Sequence, residues 1–231
     1  MRARPSLGSP TLVLVPTELE RARLADLGGF GVGAALVDLA GFGVAAAGAR
    51  TSERLAVLRP ARVLLVGIAG TYDPERAPVG TAIEFGRVAV DGIGVGSGRD
   101  YVPPPVLGFP QWPGVAGASK PIFDVLELAS GARTLLLTTA AASANPAEAR
   151  LRRERFPDAI GEDMEGFAVA LACALAGVPL SIVRGFSNEV GDRDSAHWRI
   201  PAALAAARAK ALEVLDVPEV PDVLGRAAEP A

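Results

Sequence analysis

Five short apolar runs recur along the chain with helix-patterned segments between them: TLVLV (11–15), ALVDLAG (35–41), RVLLVGIAG (62–70), RTLLLTT (133–139) and PLSIVRG (179–185). Nearly continuous apolar runs of this length predict strands buried on both faces. Amphipathic or alanine-rich segments at about 18–27, 44–58, 165–176 and 202–215 predict the covering helices, and Gly177 is a natural stop for the third. The expected fold is α/β: a central sheet, mixed but mostly parallel, with helices on both faces. In such sheets ligands gather at the carboxyl ends of strands, here just after residues 15, 40, 68, 139 and 185. One domain over 1–231 is expected, with its core at about 11–215, a short flexible N-terminal extension and a Pro-broken tail. Residues 92–118, rich in Gly and Pro, read as a long excursion from that core.

Composition narrows the function. Aromatics are only 5% of the 231 residues, so the core must be built from Ala, Val and Leu. The net charge is −3 with Lys and Arg scattered, which argues against nucleic acid or an anionic membrane as partner. Cys173 is the single cysteine and lies in an apolar run; it reads as a core residue in a reducing compartment. MRARPSLGSP is basic, but TLVLV is too short for the apolar part of a signal peptide, and no run approaches ~20 apolar residues. A cytoplasmic location is expected. His197 has no second His or Cys near it, so neither a metal nor another cofactor is expected. Trp112 and Trp198 read as packing or interface residues.

Polar residues interrupt this apolar pattern in three places. DMEGFAVALACALAG (163–177) opens on Asp163, Met164 and Glu165. On a helix Glu165 shares its face with Ala168, Val169, Ala172 and Ala176. It is either a group that favours the helix N-terminus or a carboxylate held in a cleft to accept hydrogen bonds from hydroxyls. Asp163 is better placed as the cap, which leaves Glu165 less explained by capping. VRGFSN (183–188) carries Arg184, Ser187 and Asn188 at a strand end: an ion pair and a turn former, or parts of the same cleft. PTELERARL (16–24) places Glu18 and Glu20 above the first strand, pointing in different directions. Glycine turns at GFG (41–43) and GIAGTYD (67–73) are weak signals alone, and GIGVGSG (92–98) lacks the dinucleotide spacing.

Together DMEGFAVA, VRGFSN, VGIAGTY (66–72) and LAGFGVAAAGA (39–49) resemble the purine nucleoside phosphorylase and nucleosidase superfamily over roughly residues 11–215. SNEVGDRDSAHWRIP (187–201) is similar to the nucleosidase branch that acts on futalosine, in menaquinone biosynthesis. The resemblance implies that Glu165 binds the ribose 2′ and 3′ hydroxyls, with Met164 against the sugar and Asp163, Ala69 and Gly70 completing the substrate site. It implies Glu20 as the acid that activates water, Glu18 being one alignment slip away, with Arg184 and Ser187 in support. Asn188 stands where nucleosidases of 6-aminopurines carry an aspartate. An amide cannot deliver a proton but can donate a hydrogen bond to N7 or O6, which favours a 6-oxopurine. Whether Asp192 or Asp194 replaces the missing acid stays open.

The implied activity is hydrolysis of an N-glycosidic bond, because VPTELER offers acids where a phosphate pocket would want arginine. A small purine nucleoside would be the partner, in a homo-oligomer. The alternatives are a nucleosidase releasing adenine from methylthioadenosine, S-adenosylhomocysteine or aminodeoxyfutalosine, a phosphorylase, and a non-catalytic nucleoside-binding protein. For the 5′ group of futalosine, Tyr101 and Trp112 within 92–118 are expected to supply an apolar slot, and Arg99, Lys120 or Arg193 a cation.

Overall fold

The computed structural model describes residues 10–30, 35–115 and 120–216. The expected N-terminal extension and C-terminal tail, and residues 116–118 of the excursion, lie outside the described residues. In chain order the elements are β1 (Thr11–Val15), α1 (Glu18–Asp26), β2 (Ala35–Leu39), α2 (Gly43–Leu58), β3 (Arg62–Thr71), β4 (Ala82–Phe85), β5 (Arg87–Asp91), α3 (Pro104–Leu107), β6 (Val125–Glu127), β7 (Leu135–Thr139), α4 (Pro146–Arg155), β8 (Ala159–Asp163), α5 (Gly166–Ala176), β9 (Leu180–Glu189) and α6 (Ile200–Leu215).

The nine strands form one sheet in the order β2-β1-β3-β8-β7-β5-β6, and β9 pairs with both β3 and β4. Five pairings are parallel and three, β3–β8, β4–β9 and β5–β6, are antiparallel, so the sheet is mixed and mostly parallel as expected. The ten-residue β3 organises it. Residues 62–65 pair with β1, residues 63–71 run parallel to β9, and Gly70 and Thr71 pair with β8. The ends of three sequence-distant strands therefore meet at one point.

Alternation along the strands explains the helical layers, because successive side chains leave opposite faces of a strand. Leu12, Leu14, Val63 and Leu65 pack with Ala47 and Leu55 of α2 and with Phe167, Val169 and Cys173 of α5. Val13, Val15, Leu64 and Val66 pack with Leu24 of α1 and Leu204, Ala207 and Leu215 of α6. Small residues let α2 and α5 approach closely: a Cβ added at Gly48 would stand 3.5 Å from Ala168 Cβ. Cys173 is 1% exposed, and burial pushes its thiol up to about 12, so it packs as an inert core group.

The five expected strands and four expected helices form within a few residues of their expected bounds, the last strand extending to Glu189. Four strands and the helices α3 and α4 were not anticipated. AIGED (β8) is the instructive one: Gly161, Glu162 and Asp163 make it look like a turn, yet all five residues are buried. Its carboxylates are tolerated because each is surrounded by donors.

One glycine measures how tightly α6 lies on the sheet. A Cβ on Gly185 would fall 2.0 Å from the Ala203 carbonyl oxygen, on helix backbone that cannot swing aside. Gly185→Ala should therefore destabilise the protein by about 1–3 kcal/mol or more, read as a lower urea midpoint at unchanged m-value.

Candidate active site

A cavity of about 270 Å³ opens at the carboxyl ends of β1, β3, β7, β8 and β9. Its lining joins Glu20 from α1, Ala69 and Gly70 from β3, Asp163, Met164 and Glu165 from the β8–α5 corner, and Ser187 and Asn188 from β9. These are expected site residues from four separate stretches of sequence.

Glu20 is positioned by helix capping. Thr17 is the N-cap of α1 and Glu20 the N3 residue of a capping box. Its Oε2 accepts from Thr17 N (3.0 Å) and the Thr17 hydroxyl (2.6 Å), while Oε1 accepts from Ile68 N of β3 (2.9 Å). Glu20 is thus buried at 3% exposure yet borders the cavity. Glu18, the alternative, faces away: it is bidentate to Arg21 at 2.6 and 2.7 Å, its side chain is 61% exposed, and it does not line the cavity. Residues two apart on a helix do not share a face, so only one of the pair can look inward.

Glu165 occupies the N-cap position of α5 but makes no side-chain cap bond there. Asp163 does that task, its Oδ2 accepting from Gly166 N at 2.8 Å. Glu165 instead reaches across to another helix, where Oε1 accepts from Gly43 N at the start of α2 (3.0 Å) and Oε2 from Arg184 Nη2 (3.4 Å). Capping and cleft are therefore not alternatives for this residue. Burial, opposed first by the Arg184 charge and reinforced by Asp163 and Glu20, pushes Glu165 up to about 7.

Arg184 lies beneath these acids and is fully buried. Its Nε and Nη2 donate to Asp163 Oδ2 at 3.1 and 2.6 Å, and Nη1 has no acceptor among the described residues. Burial works against its charge, but Asp163, Glu165 and Glu20 outweigh that and raise its pKa. Asp163 also accepts from the Thr138 hydroxyl at 2.6 Å, so its carboxylate serves as the hub that fixes Arg184. Room for the guanidinium comes from Gly67, the register partner of Arg184: a Cβ there would stand 2.3 Å from Nη1 and 2.7 Å from Glu20 Oε1. The sequence offered Gly67 only as the first residue of a glycine turn, GIAGTYD, but it lies inside β3, where a glycine marks a close approach.

Asn188 is also fixed by its partners. Its Oδ1 accepts from the Ser187 hydroxyl (2.8 Å), and Nδ2 donates to the carbonyls of Glu189 (2.8 Å) and Asp192 (3.4 Å). The two carbonyls identify the nitrogen side of the amide. Neither Asp192 nor Asp194 borders the cavity. Asp192 accepts from Asp194 N and pairs with His197, and its pKa is lowered by the backbone bond first, so it is not a stand-in proton donor.

The expectation for residues 92–118 is corrected by topology. That excursion leaves β5, which β7 and β8 separate from β3, and none of its described residues lines the cavity. Tyr101 lies under Arg155 at 5.0 Å, Trp112 bridges to Ile122, Arg99 faces Glu154 at 3.8 Å, and Lys120 is exposed. Of the three expected cations Arg193 alone borders the cavity, its guanidinium 4.8 Å from the centre of the Trp198 ring. Leu19 and Phe42, 52% and 66% exposed, complete an apolar rim that the sequence did not reveal.

The raised Glu165 has a thermodynamic consequence. Its folded value of about 7 lies above the ordinary 4.5, so between those limits the native state holds more protons than the unfolded chain. Stability contributed by this group is full below about 4.5 and is lost as pH rises towards 7. Glu165→Gln abolishes that titration. Its stability relative to the parent should improve by on the order of 2–3 kcal/mol between about pH 5 and pH 8, measured by urea unfolding; a pH-independent difference would contradict the assignment.

Comparison with known proteins places this geometry. Residues 115–216 match the family model described as Phosphorylase superfamily. A futalosine hydrolase of Streptomyces coelicolor is 40% identical over 145 residues, 62% of this chain, and the chain spans 60% of that relative's length. Among solved structures, a 5′-methylthioadenosine/S-adenosylhomocysteine nucleosidase of Helicobacter pylori superposes with a TM-score of 0.72 over 91% of this chain and 99% of that one, at 13% identity. Futalosine hydrolase of Helicobacter pylori gives 0.67 over 91% and 100%, at 16% identity. At such identities the superpositions speak for the fold alone, and residues 115–216 are similar in sequence to the Phosphorylase superfamily.

Proposed function

We propose that the chain is a nucleoside hydrolase that cleaves the N-glycosidic bond of futalosine to hypoxanthine and dehypoxanthinyl futalosine, a step of menaquinone biosynthesis. The observation that carries this reading is the convergence of Glu20, Glu165 and Asn188 on one cavity from the ends of three strands. The futalosine hydrolase relative supports the substrate.

In the proposed mechanism ribose lies against Met164, and Glu165 accepts hydrogen bonds from its hydroxyls with the capacity left after Gly43 N and Arg184. As the glycosidic bond lengthens, the sugar gains oxocarbenium character, which the carboxylates of Glu165 and Glu20 stabilise in a partly desolvated site. Glu20 draws a proton from water on the face opposite the base. Arg184 does not reach the reacting atoms; it orients Asp163 and Glu165 from beneath through Nε and Nη2. Asn188 steadies the departing purine without proton transfer, exchanging its long 3.4 Å bond to the Asp192 carbonyl for one to the base. Among the described residues lining the cavity, Arg193 is the one Arg or Lys, and it covers Trp198 at the rim. That supports water over phosphate as nucleophile and offers the 5′ carboxylate a cation beside an apolar surface. Glu165 carries the pH dependence: because kcat/KM reports the free protein, it should rise with pH through about 7.

Incubation with futalosine should release hypoxanthine without added phosphate, faster than aminodeoxyfutalosine releases adenine. Glu20→Gln should lower kcat by about 10²–10⁴-fold with the fold retained. Strict dependence on phosphate, or faster adenine release, would overturn the reading.

We also infer a homo-oligomer in a reducing, cytoplasmic compartment. Phe109, Val106 and Ile93, all exposed, stand on the excursion that borders the α2–α5 groove, where Ile93 and Phe167 form part of the lining. Sedimentation should show more than one chain per particle, and Phe109→Glu should shift it towards monomer.

A further inference from the structure

The mechanism leaves one buried acid at the cavity unused. Glu162, 6% exposed, also lines it, and the sheet register places it in a row with Gly70 and Asn188: Gly70 pairs with Glu162 on β8 and with Asn188 on β9. Gly70 contributes no side chain between them. A Cβ there would stand 2.9 Å from Val190 Cγ2 and 3.6 Å from Asn188 Nδ2, so only glycine fits between the two polar side chains.

Every partner of Glu162 is a donor. Oε2 accepts from the Tyr72 hydroxyl (2.5 Å), the Ser143 hydroxyl (2.7 Å) and Arg152 Nη1 (3.2 Å). Among the described residues Oε1 accepts only from Ser143 N (2.7 Å). A carboxylate offers about four lone-pair sites over its two oxygens. Oε2 is fully engaged, whereas Oε1 keeps acceptor capacity. The support beneath is rigid, since Arg152 also donates to Asp91 Oδ2 (3.2 Å), Ser143 Oγ (2.7 Å) and Ala141 O (2.8 Å). Tyr72 is held as the neutral phenol, its pKa raised by burial first and by Glu162 next.

We propose that Glu162 is the specificity-determining residue for the base, its Oε1 accepting from the N1–H of a 6-oxopurine held in the Glu162–Gly70–Asn188 row. This deepens the nucleosidase reading and rests on it. A 6-oxopurine carries a donor at N1 and an acceptor at O6; adenine carries an acceptor at N1 and a donor at C6. An acceptor-only carboxylate opposite N1 gains a charge-assisted bond with the first and faces a lone pair in the second. Asn188 rewards the oxygen at C6 but has nothing to say about N1. The two residues therefore read different atoms of the same ring edge.

The test is calorimetric titration of the intact protein with hypoxanthine, adenine and 6-methoxypurine, the last keeping an oxygen at C6 while losing the N1 proton. Wild type should bind hypoxanthine at least about tenfold more tightly than either other base. In Glu162→Gln, whose amide can donate to an N1 lone pair, the hypoxanthine to 6-methoxypurine ratio should shrink to within about threefold, while a purely structural defect would weaken both bases alike. Equal binding of hypoxanthine and 6-methoxypurine by wild type overturns the assignment, even if the variant fails to fold. So does an unchanged ratio in a folded variant. Binding of none of the bases by wild type, together with no release from futalosine, removes the nucleosidase reading and this contact with it.

Discussion

The fully buried guanidinium of Arg184 is the constraint around which the site is arranged. It brings one positive charge under Asp163, Glu165 and Glu20, three carboxylates that would otherwise repel one another in a poorly hydrated place. One cation does not balance three anions: burial first, and the Asp163 and Glu20 charges after it, push Glu165 up to about 7 against the pull of Arg184. A group poised there can serve both as a hydroxyl acceptor and as the origin of a pH profile near neutrality. Breaking such a buried pair generally costs far more than forming it contributes, so the arrangement makes sense as a device for function more than for stability.

The same acids hold the scaffold together. Glu20 closes the capping box of α1 and takes an amide from β3; Asp163 caps α5; Glu165 takes an orphan amide at the start of α2. Helix N-termini present donors and favour negative charge, so a rim where several helices begin can hold several carboxylates at tolerable cost. Structural and chemical roles coincide because both require an ionisable oxygen at a strand's carboxyl end, next to a helix start. The glycines serve this economy: Gly67 admits Arg184, and Gly70 admits the close approach of Val190 and Asn188.

Much of this was legible in one dimension. Apolar runs of four to eight residues predict buried strands whatever their neighbours, and the α/β alternation follows from covering both faces of such a sheet. Glu165, Arg184 and Asn188 stood out because charged and amide groups break apolar patterns only where something holds them. Strand β8 was hidden for the same reason in reverse: AIGED looks unfit for a core until Tyr72, Ser143, Thr138, Arg152 and Arg184, all from elsewhere, supply its hydrogen bonds. Excursion 92–118 was assigned to the substrate because it is long, but length does not say on which side of the sheet a loop emerges.

By itself the sequence determined the local alternatives: which segments extend, which coil, and which residues break the pattern, since those follow from periodicity and side-chain chemistry within a few residues. Only tertiary structure decided between Glu18 and Glu20, brought Glu162 into line with Asn188, and sent Glu165 to cap a helix 122 residues away in sequence. Those outcomes depend on strand order and register, which are set by long-range pairings that no window of neighbouring residues contains.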